Sequence, residues 1–259
     1  KKIDRREILS IIKQNNFKNY FIKNYKVSSA KILENEKIIQ KKNKYHIEYF
    51  DGKSGEDILL QGNNQEISIL KSFIYNHFFK KNNNLKFELR NLNKYKKKIK
   101  DLKKNKNFRL IKNAKEFFNY ADSLLKKKLF TFKNNKCHGD LTLSNLIINS
   151  KKKQIILIDF LSTYEENLLQ DFSKLFQEFN LHWTARNYNE MDYVRSSIVY
   201  DSIINNNFWK KIHPKLSNSF KLEFIMTILR IVPYIDNDDK ITINWVEDSL
   251  EKIKKFKQQ

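Results

Sequence analysis

Two short apolar segments on either side of a basic turn constrain the fold of this chain more than any other feature. The segments at 146–149 and 155–158 consist almost entirely of Leu and Ile and are separated by residues 150–153. A continuous apolar run of this length is typical of a strand that is buried on both faces. Asn145 and Asp159 stand at the outer ends of the pair. The sequence therefore predicts two neighbouring strands that hold an amide and a carboxylate at fixed positions.

Most of the remaining chain has helical periodicity, with apolar residues recurring at intervals of three and four. Helices are predicted at about 3–14, 65–80, 113–128, 166–186, 190–206, 218–232 and 240–256. Two more strands are predicted at 30–40 and 44–50, the second of which stops at the turn signal Asp51-Gly52. The Lys- and Asn-rich segment from 80 to about 112 indicates an insertion that keeps part of a helical stripe. Together these patterns predict an α+β chain with a mostly helical C-terminal part.

The formal net charge of +22 invites a nucleic-acid-binding interpretation. Only seven of the 51 basic residues are arginines, however, and the guanidinium fork is the group that reads bases and phosphates best. The lysines accompany abundant Asn and Ile, which share AT-rich codons with Lys. We therefore expect a solvated lysine surface and no specific nucleic-acid partner, and keep a basic nucleic-acid-binding protein as an alternative.

Cysteine content and hydropathy restrict the compartment. The single cysteine, Cys137, excludes an internal disulfide, and no run of eighteen apolar residues occurs that would span a membrane. The first residues lack the apolar stretch of a signal peptide. We therefore expect a cytoplasmic protein without membrane insertion.

The polar residues around the strand pair suit phosphoryl transfer. Such transfer needs metal ions on the phosphates and a residue that orients the attacking hydroxyl. Magnesium prefers hard oxygen ligands, which Asn145 and Asp159 offer. Asp140 precedes Asn145 by five residues, so one loop would aim both side chains into one cleft, where Asp140 would act as general base. Gly139 would allow the necessary backbone path, and we expect His138 to brace the loop.

The segment His138-Gly139-Asp140, then Asn145, then Ile158-Asp159-Phe160, resembles the catalytic signature of the aminoglycoside phosphotransferase and choline kinase group. The resemblance implies a two-lobe fold like that of protein kinases, with ATP and Mg²⁺ as cofactors. It implies Asp140 as catalytic base and Asn145 and Asp159 as magnesium ligands. Protein kinases typically carry Arg at the position of Gly139, so the small-molecule branch fits better.

The upstream segments at 30–33 and 44–54 resemble the fourth and fifth strands of the small lobe and the hinge that follows them. The resemblance implies that main-chain groups of Glu48, Tyr49 and Phe50 bind the adenine, with Ile47 beside the base. It also implies that Glu7 is the helix glutamate that pairs with a lysine. We accordingly predict a nucleotide-binding lobe over 1–52 and a catalytic and acceptor-binding lobe over 53–259.

The sequence departs from this family at the small lobe. The chain opens on the segment that resembles the glutamate helix, without the glycine-rich hairpin and the lysine strand that precede it in the family. Gly52-Lys53-Ser54 does not supply a Walker A loop, because Ile47 stands where that motif needs glycine. The lobe is therefore predicted to be truncated or reduced. A pseudokinase, which binds nucleotide and regulates a partner, is the alternative to an enzyme.

Residues 229–234 resemble kinase-like proteins found in bacterial capsule and surface-polysaccharide gene sets. This narrower resemblance implies that the acceptor is a small molecule with a hydroxyl group, either a sugar or another surface-polysaccharide precursor. The five histidines show no metal-ligand spacing. Cys137 beside His138 is interpreted as a structural thiol, since adjacent residues on a strand point to opposite faces.

Overall fold

The structure, a computed structural model, describes residues 5–33, 46–80, 86–133, 137–162, 166–204, 208–209 and 211–255. The chain is α+β, with a small mixed sheet and a mostly helical C-terminal part, as predicted. The α-helices are α1 (Arg5–Asn15), α2 (Gly55–Gln61), α3 (Asn64–Tyr75), α4 (Asn93–Leu102), α5 (Ala114–Leu125), α6 (Leu168–Phe179), α7 (Glu190–Ile203), α8 (Ser217–Leu229) and α9 (Lys240–Lys255). The strands are β1 (Tyr20–Ile22), β2 (Tyr25–Ser29), β3 (Lys53–Ser54), β4 (Phe87–Leu89), β5 (Phe130–Phe132), β6 (Leu146–Asn149) and β7 (Gln154–Leu157).

Two compact units make up the chain, and both are discontinuous in sequence. The sheet unit combines Lys1–Lys81 with His138–Glu166, and the helical unit combines Asn82–Cys137 with Asn167–Gln259. The division into functional lobes at residue 52 stays a prediction.

The sheet unit contains the five-stranded sheet in the order β1-β2-β7-β6-β3. Strands β6 and β7 are the predicted apolar pair and run antiparallel, whereas β2 pairs with β7 in parallel. Val27, Ile155 and Leu157 are 0% exposed. Consecutive residues of β7 are buried because the strand is covered on both faces, which explains its continuous apolar sequence. The ends of β7 are therefore held firmly.

The N-terminal predictions are met in part. Helix α1 agrees with the helix expected at 3–14, and the helix expected at 65–80 is α3 followed by a π-helical turn, Asn76–Lys80. Of the strands expected at 30–40 and 44–50, the described part shows an isolated antiparallel bridge between Ile32 and Ile47. Residues 34–45 of that prediction lie outside the described residues.

Close packing at Gly55 places α2 against the loop that precedes β6. A Cβ atom at Gly55 would lie 2.8 Å from the carbonyl oxygen of Leu143, so only glycine fits there. The helix begins with a capping box in which Ser54 and Asp57 each accept a hydrogen bond from the other's main-chain N–H. The packing of Gly55 against Leu143 supports the loop that carries Asp140 and Asn145.

The helical unit packs α6 against α8. The rings of Phe176 and Phe224 stack with centroids 4.0 Å apart, and Phe172 meets Phe220 edge to face at 5.0 Å. A second sheet, β4 with β5, is antiparallel and belongs to the same unit. The helices predicted at 190–206, 218–232 and 240–256 appear as α7, α8 and α9, each of which ends earlier than predicted.

Candidate active site

The loop between His138 and Asn145 folds around a glycine in a left-handed backbone conformation. Gly139 has φ 91°, which side chains of L-residues rarely allow. The Thr142 N–H donates to the Asp140 carbonyl at 2.8 Å, which closes the turn. The Asn145 amide nitrogen, Nδ2, then donates to the Asp140 carbonyl at 2.8 Å and reaches its carboxylate Oδ2 at 3.4 Å. The predicted pair Asp140 and Asn145 is thus joined directly.

His138 links this loop to the end of β7. Its Nε2 lies 2.7 Å from the Ile158 carbonyl oxygen, and its Nδ1 lies 3.2 Å from the Asp140 N–H. Because a carbonyl only accepts and an N–H only donates, both bonds form together when the proton is on Nε2. The ring is 2% exposed and packs on Phe160 at 4.2 Å. This geometry is that of a bracing residue, the role expected from the sequence.

Asp159 lies where the chain leaves β7 and has a left-handed backbone, φ 54°. Such a conformation costs free energy for a residue with a side chain, although Asp tolerates it better than most. Partial burial raises the pKa of the Asp159 carboxyl, and the negative charge of Asp140 raises it further. The two carboxylates are therefore close enough to repel each other across the site.

Helix α1 holds the segment that follows Asp159 through side-chain bonds to its main chain. Arg6 Nε donates to the Ser162 carbonyl at 3.0 Å, and Lys13 Nζ donates to the Leu161 carbonyl at 2.9 Å. The Ser162 N–H donates to Ser10 Oγ at 2.8 Å. Residues 161–162 are thereby fixed against the helix.

Gln14 adds the innermost of these bonds. It is 3% exposed; its Nε2 donates to the Ala30 carbonyl at 2.7 Å, and its Oε1 accepts from the Phe160 N–H at 3.4 Å. The residue thus joins the end of β2 to the residue after Asp159. A buried polar side chain with both groups satisfied fixes its neighbours more strongly than an exposed one.

A pocket of about 220 Å³ opens between α1, the bridge segment and the loop. Four predicted site residues line it, namely Glu7, Ile47, Asp140 and Asp159. Ile11, Ile32 and Phe160 supply apolar walls, and Gln14 a polar one. The structure therefore brings catalytic and cofactor-binding candidates into one cavity, and the charged residues among its described lining are all acidic. Asn145 is not among the lining residues, but it is hydrogen-bonded to Asp140, which is.

The predicted hinge residues beyond Ile47 do not line this pocket. The Glu48 N–H donates to the Lys31 carbonyl at 2.9 Å, and the Tyr49 residue is 88% exposed. Within the described residues, the main-chain groups of Tyr49 and Phe50 have no hydrogen-bond partner. Their assignment to adenine binding stays a prediction, with the Glu48 N–H already engaged by Lys31.

The donor set fits a magnesium ion that keeps much of its water. Within the described ranges, no group of three or more His, Cys, Asp and Glu side chains is arranged to hold a metal. Asn145 is oriented by its Nδ2 bonds, which leaves its Oδ1 as a hard oxygen donor, and Asp159 offers a carboxylate. Magnesium commonly takes one or two protein ligands together with water and phosphate oxygens. A divalent cation would also relieve the repulsion between Asp140 and Asp159.

The sequence prediction missed the contributions of Ser10 and Gln14. Both lie on the same face of α1 as Glu7, since residues three, four and seven apart along a helix are neighbours. This helical spacing was the sequence signal that could have assigned Ser10 and Gln14 to the site. Nothing in the sequence indicated that the partners would be main-chain groups at 160 and 162, because those contacts join segments far apart in the chain.

The Gly52-Lys53-Ser54 segment, set aside as a phosphate loop, has a structural role. Ser54 is the N-cap of α2, and Lys53 Nζ donates to Glu66 Oε2 at 2.9 Å. Burial raises the pKa of Glu66, but the hydrogen bonds from Lys53 and the Asn63 N–H outweigh it, so the net shift is downward. Lys53 therefore forms a structural ion pair with Glu66.

No family model matches the chain, and neither a curated protein nor a solved structure matches it. Among the residues that the structure describes, no helix has both the length and the apolar character needed to cross a membrane.

Proposed function

We propose that this protein is an ATP-dependent phosphotransferase with a kinase-like, two-lobe fold. The observation that carries the proposal is the convergence of Asp140, Asn145 and Asp159. Asn145 bonds to Asp140, and the charge of Asp140 raises the pKa of Asp159. Asp140 and Asp159 line one pocket, and Asn145 is bonded directly to Asp140.

Each of these side chains has a proposed task. Asp140 orients the acceptor hydroxyl and takes its proton as the hydroxyl attacks the γ-phosphorus. The Asn145 Oδ1 and the Asp159 carboxylate would hold Mg²⁺, which when bound neutralises phosphate charge. His138 keeps the Asp140 main chain in place. Glu7 lies on the α1 wall and is the proposed partner of a phosphate-binding lysine.

The acceptor class follows from the resemblance of residues 229–234 noted above. We assign the acceptor to small molecules with a hydroxyl group, with sugars and other surface-polysaccharide precursors as the first candidates. The cytoplasm, where ATP is abundant, is the proposed compartment.

The experiment measures Mg²⁺-dependent ATP consumption with a panel of sugar acceptors. Asp140→Asn is expected to lower turnover about 10²–10⁴-fold, since general-base catalysis contributes that much, and Asp159→Asn is expected to do the same by weakening Mg²⁺ binding. Asp122→Asn, at the exposed ion pair with Lys103, is the matched control and should leave turnover unchanged. Full turnover by the Asp140 variant would rule out the assignment.

A second candidate is a pseudokinase that binds nucleotide without transferring phosphate. It is favoured by the lining of the pocket, where the described residues include no Lys or Arg to neutralise phosphate oxygens. Calorimetric titration separates the candidates. Nucleotide binding that depends on Mg²⁺ and Asp159, without ADP release for any acceptor, would favour the pseudokinase.

A further inference from the structure

A larger pocket, about 300 Å³, lies at the opposite end of the five-stranded sheet from Asp159. Strands β2 and β7 run in parallel, and the pocket is at their beginnings, where Tyr25 and Ile155 line it. Asp159 follows the other end of β7. Ile155 and Asp159 are four steps apart along an extended chain, a distance of about 13 Å. The pocket is therefore distinct from the candidate active site.

Two turns and one helix face build this pocket. The β1–β2 turn contributes Lys23 and Asn24, and the β6–β7 turn contributes Ser150 and Lys153. On the other side, Gln65, Ser68, Ile69 and Ser72 of α3 line it, at helical positions that share one face. Elements distant in the sequence thus present polar side chains to a common space.

The lining carries positive charge and neutral hydrogen-bonding groups. Lys23 and Lys153 are its charged residues, and the described lining includes no Asp or Glu. Hydroxyls and side-chain amides supply the remaining polar groups, while Ile22, Ile69 and Ile155 give an apolar floor. An anion that also carries hydroxyl groups on a carbon framework matches such a surface.

The two lysines are available to a ligand. Within the described part of the chain, neither ammonium has a carboxylate within ion-pair distance. Both residues have left-handed backbones, with φ 53° at Lys23 and 52° at Lys153. Glycine or asparagine is the ordinary residue at such turn positions, because a left-handed backbone is unfavourable for lysine. A pocket lined by both turns therefore carries its positive charge at conformationally costly positions.

We propose that this pocket binds a phosphorylated sugar or polyol. The phosphate lies between the ammonium groups of Lys23 and Lys153, which act as point charges in the way lysine commonly binds phosphate. The serine hydroxyls and the amides of Asn24 and Gln65 bond to the ligand hydroxyls, and the isoleucines contact its carbon face. The inference does not depend on phosphotransferase activity, because it concerns binding at a separate site.

The test compares two double variants that remove equal charge. Lys23→Gly/Lys153→Gly removes both pocket ammoniums at positions where glycine fits the backbone, so folding should not suffer. Lys151→Gly/Lys152→Gly removes two lysines from the same β6–β7 turn that do not line the pocket. Binding of glucose 6-phosphate, inorganic phosphate and glucose is measured by calorimetry at constant ionic strength, because a lysine-rich surface attracts anions generally.

The wild-type chain and the control variant are expected to bind one glucose 6-phosphate with equal affinity. The pocket variant should bind it at least about tenfold more weakly, the effect of losing roughly 1.4 kcal/mol of interaction. Equal weakening in both variants would mean that bulk charge is responsible and would overturn the proposal. The absence of saturable binding at about 10 mM ligand would also overturn the proposal, since it means a binding free energy weaker than roughly 3 kcal/mol. So would binding of glucose as tight as that of glucose 6-phosphate.

Discussion

The two units differ in how they neutralise the negative charge of their carboxylates. In the helical unit, Glu223 is 2% exposed and accepts hydrogen bonds from Arg90 and Tyr95, while the Arg90 guanidinium lies over the Tyr95 ring. In the sheet unit, Asp159 faces Asp140, and its pKa is raised by burial and by that neighbouring charge. The first arrangement neutralises a carboxylate inside the unit. The second leaves a carboxylate that a cation would stabilise, as expected of the proposed magnesium site.

Removing Arg90 should give the largest effect on stability. Arg90→Met leaves the Glu223 carboxylate buried without its guanidinium partner, and loss of one partner of a buried ion pair typically costs about 3–5 kcal/mol. The free energy of unfolding is measured by chemical denaturation. The double variant Arg90→Met/Glu223→Leu removes both charges and should regain most of the loss. If the double variant is as unstable as the single one, the cluster is not held by charge neutralisation.

Replacing Gln14 should have an intermediate effect on the sheet unit. Gln14→Leu leaves the Ala30 carbonyl and the Phe160 N–H without their side-chain partner, at a cost of about 1–3 kcal/mol for buried polar groups. Ser10→Ala, which removes the acceptor of the Ser162 N–H nearer the surface, should cost less. Denaturation midpoints of the two variants test this order. A larger loss for Ser10→Ala would show that Gln14 does not anchor the segment after Asp159.

Neutralising Asp159 should give the smallest effect on stability, and it should raise the free energy of unfolding where the other changes lower it. An acid whose folded-state pKa is raised destabilises the fold at pH values above that pKa, because folding opposes its ionisation. Asp159→Asn should therefore increase stability near neutral pH by at most about 1 kcal/mol after solvent screening, and Asn tolerates the left-handed backbone.

The pH dependence of this gain provides its check. The advantage of Asp159→Asn should vanish as the pH falls below the unfolded-state pKa, since Asp159 is then protonated in both states. Asp236→Asn, at an exposed position, controls for the loss of one negative charge in a chain of net charge +22. A gain that persists unchanged at acid pH would show that it does not come from the ionisation of Asp159.

The sequence predicted the parts of the molecule that depend on local pattern. The strand pair at 146–149 and 155–158 and the helices around it follow from apolar periodicity, and the approach of Asp140 to Asn145 follows from their spacing of five. The strands at 20–22 and 25–29 were missed because β1 and β2 are short and lie among Lys and Asn residues. Their place in the sheet depends on a parallel pairing with β7, which no local pattern encodes.

The candidate site shows the same limit. Its carboxylates and its glycine were recognisable, since each belongs to a short motif. The bonds from Arg6, Ser10 and Lys13 to main-chain groups at 161 and 162 were not, because any helix residue can reach a carbonyl once tertiary structure brings it there. The left-handed backbone of Asp159 was likewise set by the segments packed on both sides of it.

The parallel pairing of β2 with β7 has a consequence for biosynthesis. Lys26 faces Gln154 across this ladder, so more than a hundred residues must leave the ribosome before the sheet can close. Pairings of such high contact order form late and slowly. Until then β2 presents an open hydrogen-bonding edge, which is a template for intermolecular association. The nascent chain is therefore most exposed to aggregation before residue 157 emerges.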